Sequence, residues 1–382
     1  MIANQKLVLI VAGEASGDLH GSNLVRAMKR LDPGFTFLGI GGKNMEDAGV
    51  NVLISSSDMA VVGLTEVIAR LYTIARAHFK LKSLLKNSRP ALLILIDYPG
   101  FNINLARSAK RFRIPVLYYI SPQIWAWRRG RIKKIAKRVD RMAVILPFEK
   151  EFYLKSGMEV EYVGHPLLDS ITLDVNKSKV IQDMGHMDGC PIVGLLPGSR
   201  SEEVRNLLPL MIKAVEILYS RYPNIRCVIP VASTISADLI ESLISQSTIE
   251  IAISREDIYK TLCACDLALV TSGTATLETA IMEVPMVIVY RVSLISYWAG
   301  RMVVKVPYIG LVNLVAGEQV VPELIQDEVT PQRLSDEALA ILESDQRKED
   351  MIRKLQMVTE RLGRGGASER TARIALEMIR SN

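Results

Sequence analysis

Short apolar runs alternate with longer amphipathic segments along most of the chain, and this alternation limits the possible folds more than any other feature. Runs such as Leu7–Ala12 and Ala91–Ile96 have the length of a buried strand and carry no polar face. Segments such as Ser22–Leu31 and Glu202–Tyr219 lie between such runs and have the length of helices. Strands that are apolar on both sides are typical of parallel sheets covered by helices on both faces. The chain is therefore predicted to be an α/β protein.

The chain is also too long for one ordinary core, because single cores stop growing at about 250 to 300 residues and this chain has 382. The apolar runs form two series, separated by the polar stretch Asp169–Gly189. We expect two Rossmann-like, doubly wound domains that face a central cleft. The expected divisions are 1–168, 169–345 and a C-terminal helical region, 346–382, which returns to the first domain or forms a homodimer with a partner subunit.

Positive charge is concentrated in the first half of the chain. Residues 1–170 contain 25 Lys and Arg against 14 Asp and Glu, whereas residues 171–382 contain 22 against 27. A basic lobe favours an anionic partner, which could be a nucleic acid, an acidic lipid or a phosphorylated substrate. No run reaches the roughly 18 apolar residues that span a bilayer, so we expect a cytoplasmic protein.

The turn after the first apolar run brings several titratable residues close together. Glu14, Asp18 and His20 lie within seven residues, and the small residues Ser16 and Gly17 between them let a ligand approach the backbone. The segment is a candidate site at the start of a helix. The alternative is a tight strand–helix turn in which Asp18 caps the helix.

Asp97 directly follows the apolar run Leu92–Ile96. Its carboxylate is expected at the carboxyl end of a buried central strand, where open α/β sheets bind ligands. A carboxylate there can accept a proton from an attacking hydroxyl group. The alternative is a capping role for the helical segment that begins after Pro99.

The densest basic stretch follows a segment that contains Gln123 and Trp127. From Arg128 to Arg138, seven of eleven residues are Lys or Arg. Nucleic-acid binding, binding of a phosphate-bearing lipid at a membrane surface, and a solvated helix face all fit this composition. Apolar positions bordered by Lys and Arg in Met59–Leu85 and Val292–Val315 favour the lipid, although burial in the core would also explain them.

Two turns in the second half have the features of phosphate sites. In the first, Ser199 and Arg200 stand between the run Ile192–Leu196 and a helix start. In the second, small residues open a helix after Val270, and Glu278 lies about one turn inside it. Helix N-termini and a fixed guanidinium suit a diphosphate, and the Glu278 carboxylate could bind a ribose diol. Because no D-x-D pair and no His/Cys cluster is present, a catalytic metal is not indicated.

Six motifs resemble, in order and spacing, those of the lipid-A-disaccharide synthase family. They are Gly13–Asp18, Ile96–Asn102, Ser121–Trp127, Gly164–Pro166, Leu196–Arg200 and Thr271–Glu278. The resemblance implies a GT-B fold and an inverting glycosyl transfer without metal or cofactor. The implied donor is UDP-2,3-diacylglucosamine, the acceptor is 2,3-diacylglucosamine 1-phosphate (lipid X), and the product is the β-1,6-linked lipid A disaccharide. It also implies a peripheral enzyme on the inner face of the cytoplasmic membrane of Gram-negative bacteria.

The resemblance also implies a role for each candidate residue. Asp97 would be the general base, with Glu14 and His20 beside it in the catalytic cleft. Donor binding would use Ser199, Arg200, Ser272, Gly273, Thr274, Glu278 and Asn313, and the acceptor side would use Ser16, Gly17, Asp18, Gln123, Trp127 and Arg128. Glu318 stands where the family often has a basic residue, and its neighbour is Gln319, so no role is assigned to either.

Two other functions remain open from the sequence. Another GT-B enzyme, a UDP-N-acetylglucosamine transferase or 2-epimerase, would share the second-half motifs. A basic RNA-binding protein would explain the stretch Arg128–Arg138 but has no use for the turns at Glu14 and Arg200. We therefore expect no nucleic-acid partner.

Overall fold

The protein folds into two compact units, each built on one parallel sheet. The structure, a computed structural model, describes residues 6–59, 67–127, 129–171, 180–181, 190–232, 234–255, 257–293, 297 and 306–381. The first unit comprises residues 1–170 and 362–382, and the second comprises residues 171–361. The predicted fold class, two Rossmann-like α/β domains, is confirmed.

The described strands of the first unit form a sheet in the order β3-β2-β1-β4-β5-β6-β7, with every neighbouring pair parallel. The chain builds outward from β1 to β3, then returns to the other side of β1 with β4. The strand order therefore reverses between β1 and β4. The strands are β1 (Leu7–Ala12), β2 (Thr36–Gly41), β3 (Val50–Ser55), β4 (Leu92–Ile96), β5 (Val116–Tyr119), β6 (Arg141–Val144) and β7 (Glu159–Tyr162).

Helices cover both faces of this sheet because successive strand residues point to opposite faces and both sets are apolar. Val8 and Ile10 belong to the core on one face, and Leu9 and Val11 to the core on the other. The helices are α1 (Ala15–Leu31), α2 (Lys43–Asp47), α3 (Ser56–Met59), α4 (Val67–Ser88), α5 (Pro99–Arg111), α6 (Ile124–Trp127), α7 (Ile132–Ala136) and α8 (Pro147–Leu154).

The second unit has the same topology with one strand fewer. Its described strands have the order β10-β9-β8-β11-β12-β13, all parallel, so that the reversal lies between β8 and β11. The strands are β8 (Ile192–Leu196), β9 (Arg226–Pro230), β10 (Ile251–Ser254), β11 (Leu267–Thr271), β12 (Met286–Tyr290) and β13 (Glu323–Ile325). The helices are α9 (Ser201–Arg221), α10 (Ala237–Ile244), α11 (Ile258–Ala264), α12 (Thr274–Ile281), α13 (Leu311–Ala316), α14 (Pro331–Leu342) and α15 (Asp345–Arg361).

The C-terminal residues, expected as one region over 346–382, are divided between the two units. Helix α15 belongs to the second unit, where Arg361 donates to the Val315 carbonyl. The last helix, α16 (Ala367–Arg380), belongs to the first unit and packs against α1 of the same chain. Its start is capped by Asp169, whose carboxylate accepts the N–H groups of residues 366, 367 and 368. The chain breaks at residues 362–366, so that α15 belongs to one unit and α16 to the other. An amphipathic pattern alone does not predict this division.

Candidate active site

The first cluster of candidate residues lies where the strand order of the first unit reverses. Because β1 and β4 are neighbours and their last pair is Ala12 with Ile96, Glu14 and Asp97 follow adjacent strand ends. Between the two acids, the Tyr98 ring packs against Gly13. A Cβ at Gly13 would lie 2.5 Å from that ring, so glycine is required for this approach. The reversal point is where open α/β sheets bind ligands.

The environment of Asp97 makes its carboxyl easier to protonate than usual. Burial raises the pKa of Asp97 to about 6, and the nearby charge of Glu14 adds to the increase. The Tyr98 N–H, which hydrogen-bonds the carboxylate, acts in the opposite direction. Glu14 is exposed and precedes α1 without a side-chain capping bond, so its carboxylate is available. The structure thus brings together Glu14 and Asp97, two of the three residues predicted to be catalytic.

The Asp97 turn, residues 97–98, has an unusual backbone. Asp97 and Tyr98 have φ values of 43° and 47°, in the left-handed region that residues with side chains rarely adopt. The Asp97 carbonyl accepts hydrogen bonds from the Tyr118 hydroxyl at 2.5 Å and the Asn102 amide at 2.7 Å. Neither contact was predicted, because an apolar strand pattern does not show where one Tyr hydroxyl points.

A buried acid, Glu149, anchors the segment that contains Gln123 and Trp127. This acid was not identified from the sequence. The Glu149 carboxylate accepts hydrogen bonds from the Ser121 hydroxyl at 2.6 Å and the Trp125 indole at 2.9 Å. Burial raises the pKa of Glu149 to about 7, although these bonds lower it. Gln123 lies on the exposed side of this loop. Arg128 and the side chain of Trp127, which are also predicted on the acceptor side, lie outside the described residues.

Asp18 and Gly17 have structural roles rather than the predicted contacts with the acceptor. The Asp18 carboxylate is buried and accepts hydrogen bonds from the N–H groups of Gly42, Asn44 and Met45, so it caps α2. Both oxygens of the Asp18 carboxylate therefore bond to the start of α2. Gly17 is buried where a Cβ would contact Ala12 at 3.3 Å, and it allows α1 to pack closely on β1. Only Ser16 of this set is exposed.

His20 is placed with a different group of residues from Asp97. Its side chain is buried near the titratable residues Asp169 and His165, and burial lowers its pKa to about 4. It is therefore neutral at physiological pH and lies beside the start of α16. His20 lies six positions after Glu14, which precedes α1, and the helical rotation turns it to another side. The structure thus groups His20 with Asp169 and His165 rather than with the two acids predicted to be catalytic.

In the second unit, the two predicted phosphate turns leave adjacent strands, β8 and β11, at the reversal point. Ser199 and Arg200 are exposed after β8, and the Arg200 guanidinium contacts Glu203 at 2.8 Å. Gly198 has a φ of 115°, and a Cβ there would collide with the Glu203 carboxylate. On the β11 side, Thr274 is exposed and Gly273 has open space around its Cα, while the Ser272 hydroxyl donates to the Ile309 carbonyl.

Glu278 is not an ordinary exposed helix carboxylate. Burial is the main cause of its raised pKa. The Tyr259 hydroxyl, which sequence analysis missed, donates a hydrogen bond to it at 3.1 Å. This bond fixes one carboxylate oxygen and leaves the other able to accept a hydrogen bond from a ligand hydroxyl.

Asn313 does not have a free group for the predicted contact with the donor. Its amide nitrogen donates to the Val321 carbonyl and the Glu323 carboxylate, and its amide oxygen accepts from Val320 and Val321. With all four bonds made, Asn313 orders the segment that precedes β13. Glu323 also accepts from the N–H groups of Ile309 and Gly310.

Each unit presents chemically useful groups of its own. The first unit offers a carboxyl that can gain and lose a proton near neutral pH, and the second offers a guanidinium, a Gly turn and a buried carboxylate at a strand reversal. In the described part of the chain, no three His, Cys, Asp or Glu side chains are grouped as ligands for a metal ion.

Comparison with known proteins gives a consistent match over almost the whole chain. The Lipid-A-disaccharide synthetase family model matches residues 8–378. A lipid-A-disaccharide synthase of Geobacter metallireducens is 48% identical, covering 99% of this chain and 98% of that protein. One of Coxiella burnetii is 40% identical over 98% of this chain and 99% of its own length.

Solved structures are similar in fold at low identity. A putative UDP-N-acetylglucosamine 2-epimerase of Listeria monocytogenes has a TM-score of 0.68 at 14% identity, with 98% of this chain and 96% of that chain covered. A calicheamicin glycosyltransferase has a TM-score of 0.62 at 14% identity, with 98% of each chain covered.

The repulsion between Glu14 and Asp97 is testable by titration. The substitution Glu14→Gln removes a negative charge, so the pKa of Asp97 should fall from about 6. Because the burial of Asp97 is unchanged, this pKa should remain above its ordinary value. Carboxyl NMR of ¹³C-Asp-labelled protein, assigned with Asp97→Asn, measures it. Glu46→Gln, an exposed carboxylate on α2, should leave the titration unchanged. An unchanged or higher Asp97 pKa in Glu14→Gln would contradict the described electrostatics.

Proposed function

The chain belongs to the lipid-A-disaccharide synthase family, whose members are glycosyltransferases of lipid A biosynthesis, and we propose the substrates and mechanism by which it acts. The donor is UDP-2,3-diacylglucosamine and the acceptor is 2,3-diacylglucosamine 1-phosphate. The products are the β-1,6-linked disaccharide 1-phosphate and UDP. The observation that carries this proposal is the position of Asp97, a carboxyl with a pKa of about 6 at the strand reversal of the first unit.

In the proposed reaction, Asp97 is the general base. Its carboxylate takes the proton of the acceptor 6-hydroxyl while that oxygen bonds to C1 of the donor sugar. The bond between C1 and the diphosphate oxygen breaks at the same time, and UDP leaves with the electron pair. A single displacement inverts the configuration at C1. A base with a pKa near the working pH is efficient because it is ionised and still basic enough to accept the proton.

The leaving diphosphate is proposed to bind in the second unit. Negative charge develops on it as the C1 bond breaks, and positioned donors stabilise such charge strongly. Arg200 is the charged group for this task, since its side chain is exposed and its partner Glu203 holds it at the turn. Ser199, Ser272, Gly273 and Thr274 surround the phosphate position. Glu278, held by Tyr259, binds the ribose hydroxyls. This reaction requires no metal and no cofactor.

The main alternative is a soluble UDP-N-acetylglucosamine enzyme. A UDP-GlcNAc 2-epimerase of Neisseria meningitidis, solved with UDP-GlcNAc bound, is similar in fold at 13% identity. The synthases match at 40% to 48% identity over nearly their whole length. We therefore favour transfer between two acylated sugars over epimerisation.

The reaction itself is the direct test of the proposal. Purified protein, supplied with both acylated substrates in detergent micelles, should form disaccharide 1-phosphate and UDP in equal amounts, as measured by mass spectrometry and a UDP assay. Either substrate alone should give no disaccharide. Failure to form disaccharide, or epimerisation of UDP-N-acetylglucosamine without acceptor, would contradict the proposal.

We further propose that α4 holds the enzyme at the inner face of the cytoplasmic membrane, where acylated substrates reside. No described helix is long and apolar enough to cross a membrane. Helix α4 nevertheless exposes Tyr72 and Phe79, at 70% and 68%, on one side, with exposed Arg76 and Lys86 nearby. Residues seven apart lie on the same helix face, and aromatic rings bordered by cations suit a headgroup region. Of the other stretch predicted to favour a lipid, Val292–Val315, residues 294–296 and 298–305 lie outside the described residues.

Replacing both aromatics tests this surface. Burial of an aromatic side chain contributes about 1.5 to 3 kcal/mol, so Tyr72→Ser with Phe79→Ser should weaken binding to vesicles of anionic phospholipid by about tenfold or more. Sedimentation of the vesicles measures the bound fraction. The matched control, Tyr219→Ser with Met357→Ser, changes two exposed apolar side chains of the second unit and should bind like the unaltered protein. Equal binding by both variants would contradict the assignment to α4.

A further inference from the structure

The Asp97 turn is held in a conformation that it would not keep by itself. Two consecutive residues with side chains, Asp97 and Tyr98, have positive φ values of 43° and 47°. Such residues relax unless their surroundings restrain them, and strained backbone of this kind is concentrated at functional sites. The direction of the Asp97 carboxylate therefore depends on the groups that restrain this turn.

Two buried side chains provide that restraint. The Tyr118 hydroxyl donates to the Asp97 carbonyl at 2.5 Å. The Asn102 amide donates to the same carbonyl at 2.7 Å and to the Ile96 carbonyl at 3.1 Å. Both side chains are fully buried. Because the carbonyl belongs to the peptide between Asp97 and Tyr98, these bonds fix the plane of that peptide.

Tyr118 and Asn102 restrain the Asp97 turn from two different elements of the fold. Tyr118 lies on β5, paired with Leu95 on β4, so it approaches the turn from the neighbouring strand rather than from the loop itself. Asn102 lies in α5, which begins directly after the turn, and so approaches it from the other side. A displacement of about 1 Å of a reacting group can reduce a rate by about 100-fold, so the restraint has a direct consequence for a reaction at Asp97.

We propose that Tyr118, together with Asn102, is a positioning residue that holds the carboxylate of Asp97 in line with the acceptor hydroxyl. This inference rests on the proposed role of Asp97 as general base. Neither Tyr118 nor Asn102 contacts the reacting atoms in this account; both act through the backbone of the turn.

The neighbouring residue provides a matched control. Tyr119 is on the same strand, is equally buried and points to the opposite face of the sheet. Its hydroxyl makes no hydrogen bond of normal geometry and lies near Ser368 and Thr371. Tyr118→Phe and Tyr119→Phe thus remove the same atom from the same strand, but only the first removes a bond to Asp97.

The experiment compares steady-state kinetics of the two variants with both acylated substrates in micelles. Tyr118→Phe should lower kcat by about 10- to 100-fold and leave both KM values within about twofold of the unaltered enzyme. Asn102→Ala, a second variant, should lower kcat in the same way. Tyr119→Phe should leave kcat unchanged. Thermal unfolding of each variant identifies any general loss of folding.

A double-mutant cycle separates positioning from a general structural effect, because a residue that acts through Asp97 has nothing to position once the base is gone. In an Asp97→Asn background, adding Tyr118→Phe should change the residual rate by less than about twofold. Equal kcat values for Tyr118→Phe and Tyr119→Phe, or a full Tyr118→Phe effect in the Asp97→Asn background, would overturn the inference. If the unaltered enzyme forms no disaccharide, the proposed function fails instead.

Discussion

The reversal of strand order beside the first strand of each sheet is the constraint on which the remaining features depend. At a reversal, the connections that follow two adjacent strands go to opposite sides of the sheet, and a crevice opens between them. In the first unit this places Glu14 after β1 and Asp97 after β4. In the second unit it places Arg200 after β8 and the Gly273 turn after β11. One topology, used twice, thus positions the residues that we propose for the acid–base step and those that we propose for the diphosphate.

The crevice of the first unit also explains the properties of Asp97. Its carboxyl stands at the end of a strand that is buried on both faces, so water stabilises its charge poorly, and the carboxylate of Glu14 adds repulsion. Both effects favour the neutral form and bring the pKa close to physiological pH. The left-handed turn directs the side chain, and buried donors on β5 and α5 hold the turn. Burial, charge and backbone strain thus combine at one residue.

Much of this could be predicted from the sequence, because strand length, apolarity and the residues after each strand are local properties. The structure places Asp97, Glu14, Ser199 and Arg200 after the ends of the strands and Glu278 inside the helix, as the sequence predicted, and their roles stay predictions. Long-range partners were not. Asp18 was expected at a ligand but caps α2, about 25 residues further along the chain. Asn313 was expected near the donor but orders a loop through the backbone of Val320 and Val321. In the sequence, Tyr118 and Glu149 are an ordinary strand residue and an ordinary helix residue. Their importance lies in hydrogen bonds to distant parts of the chain: Tyr118 to the Asp97 carbonyl, and Glu149 to the Ser121 and Trp125 side chains.

The most direct test of the account is single-turnover transfer by Asp97→Asn with both acylated substrates bound. The substitution keeps the shape of the side chain and removes its ability to accept the proton. General-base catalysis contributes about 100- to 10,000-fold, so the rate of disaccharide formation should fall by that factor while donor and acceptor affinities, measured by equilibrium binding, remain unchanged. A rate close to that of the unaltered enzyme, with both substrates bound, would show that Asp97 is not the base and would contradict the account.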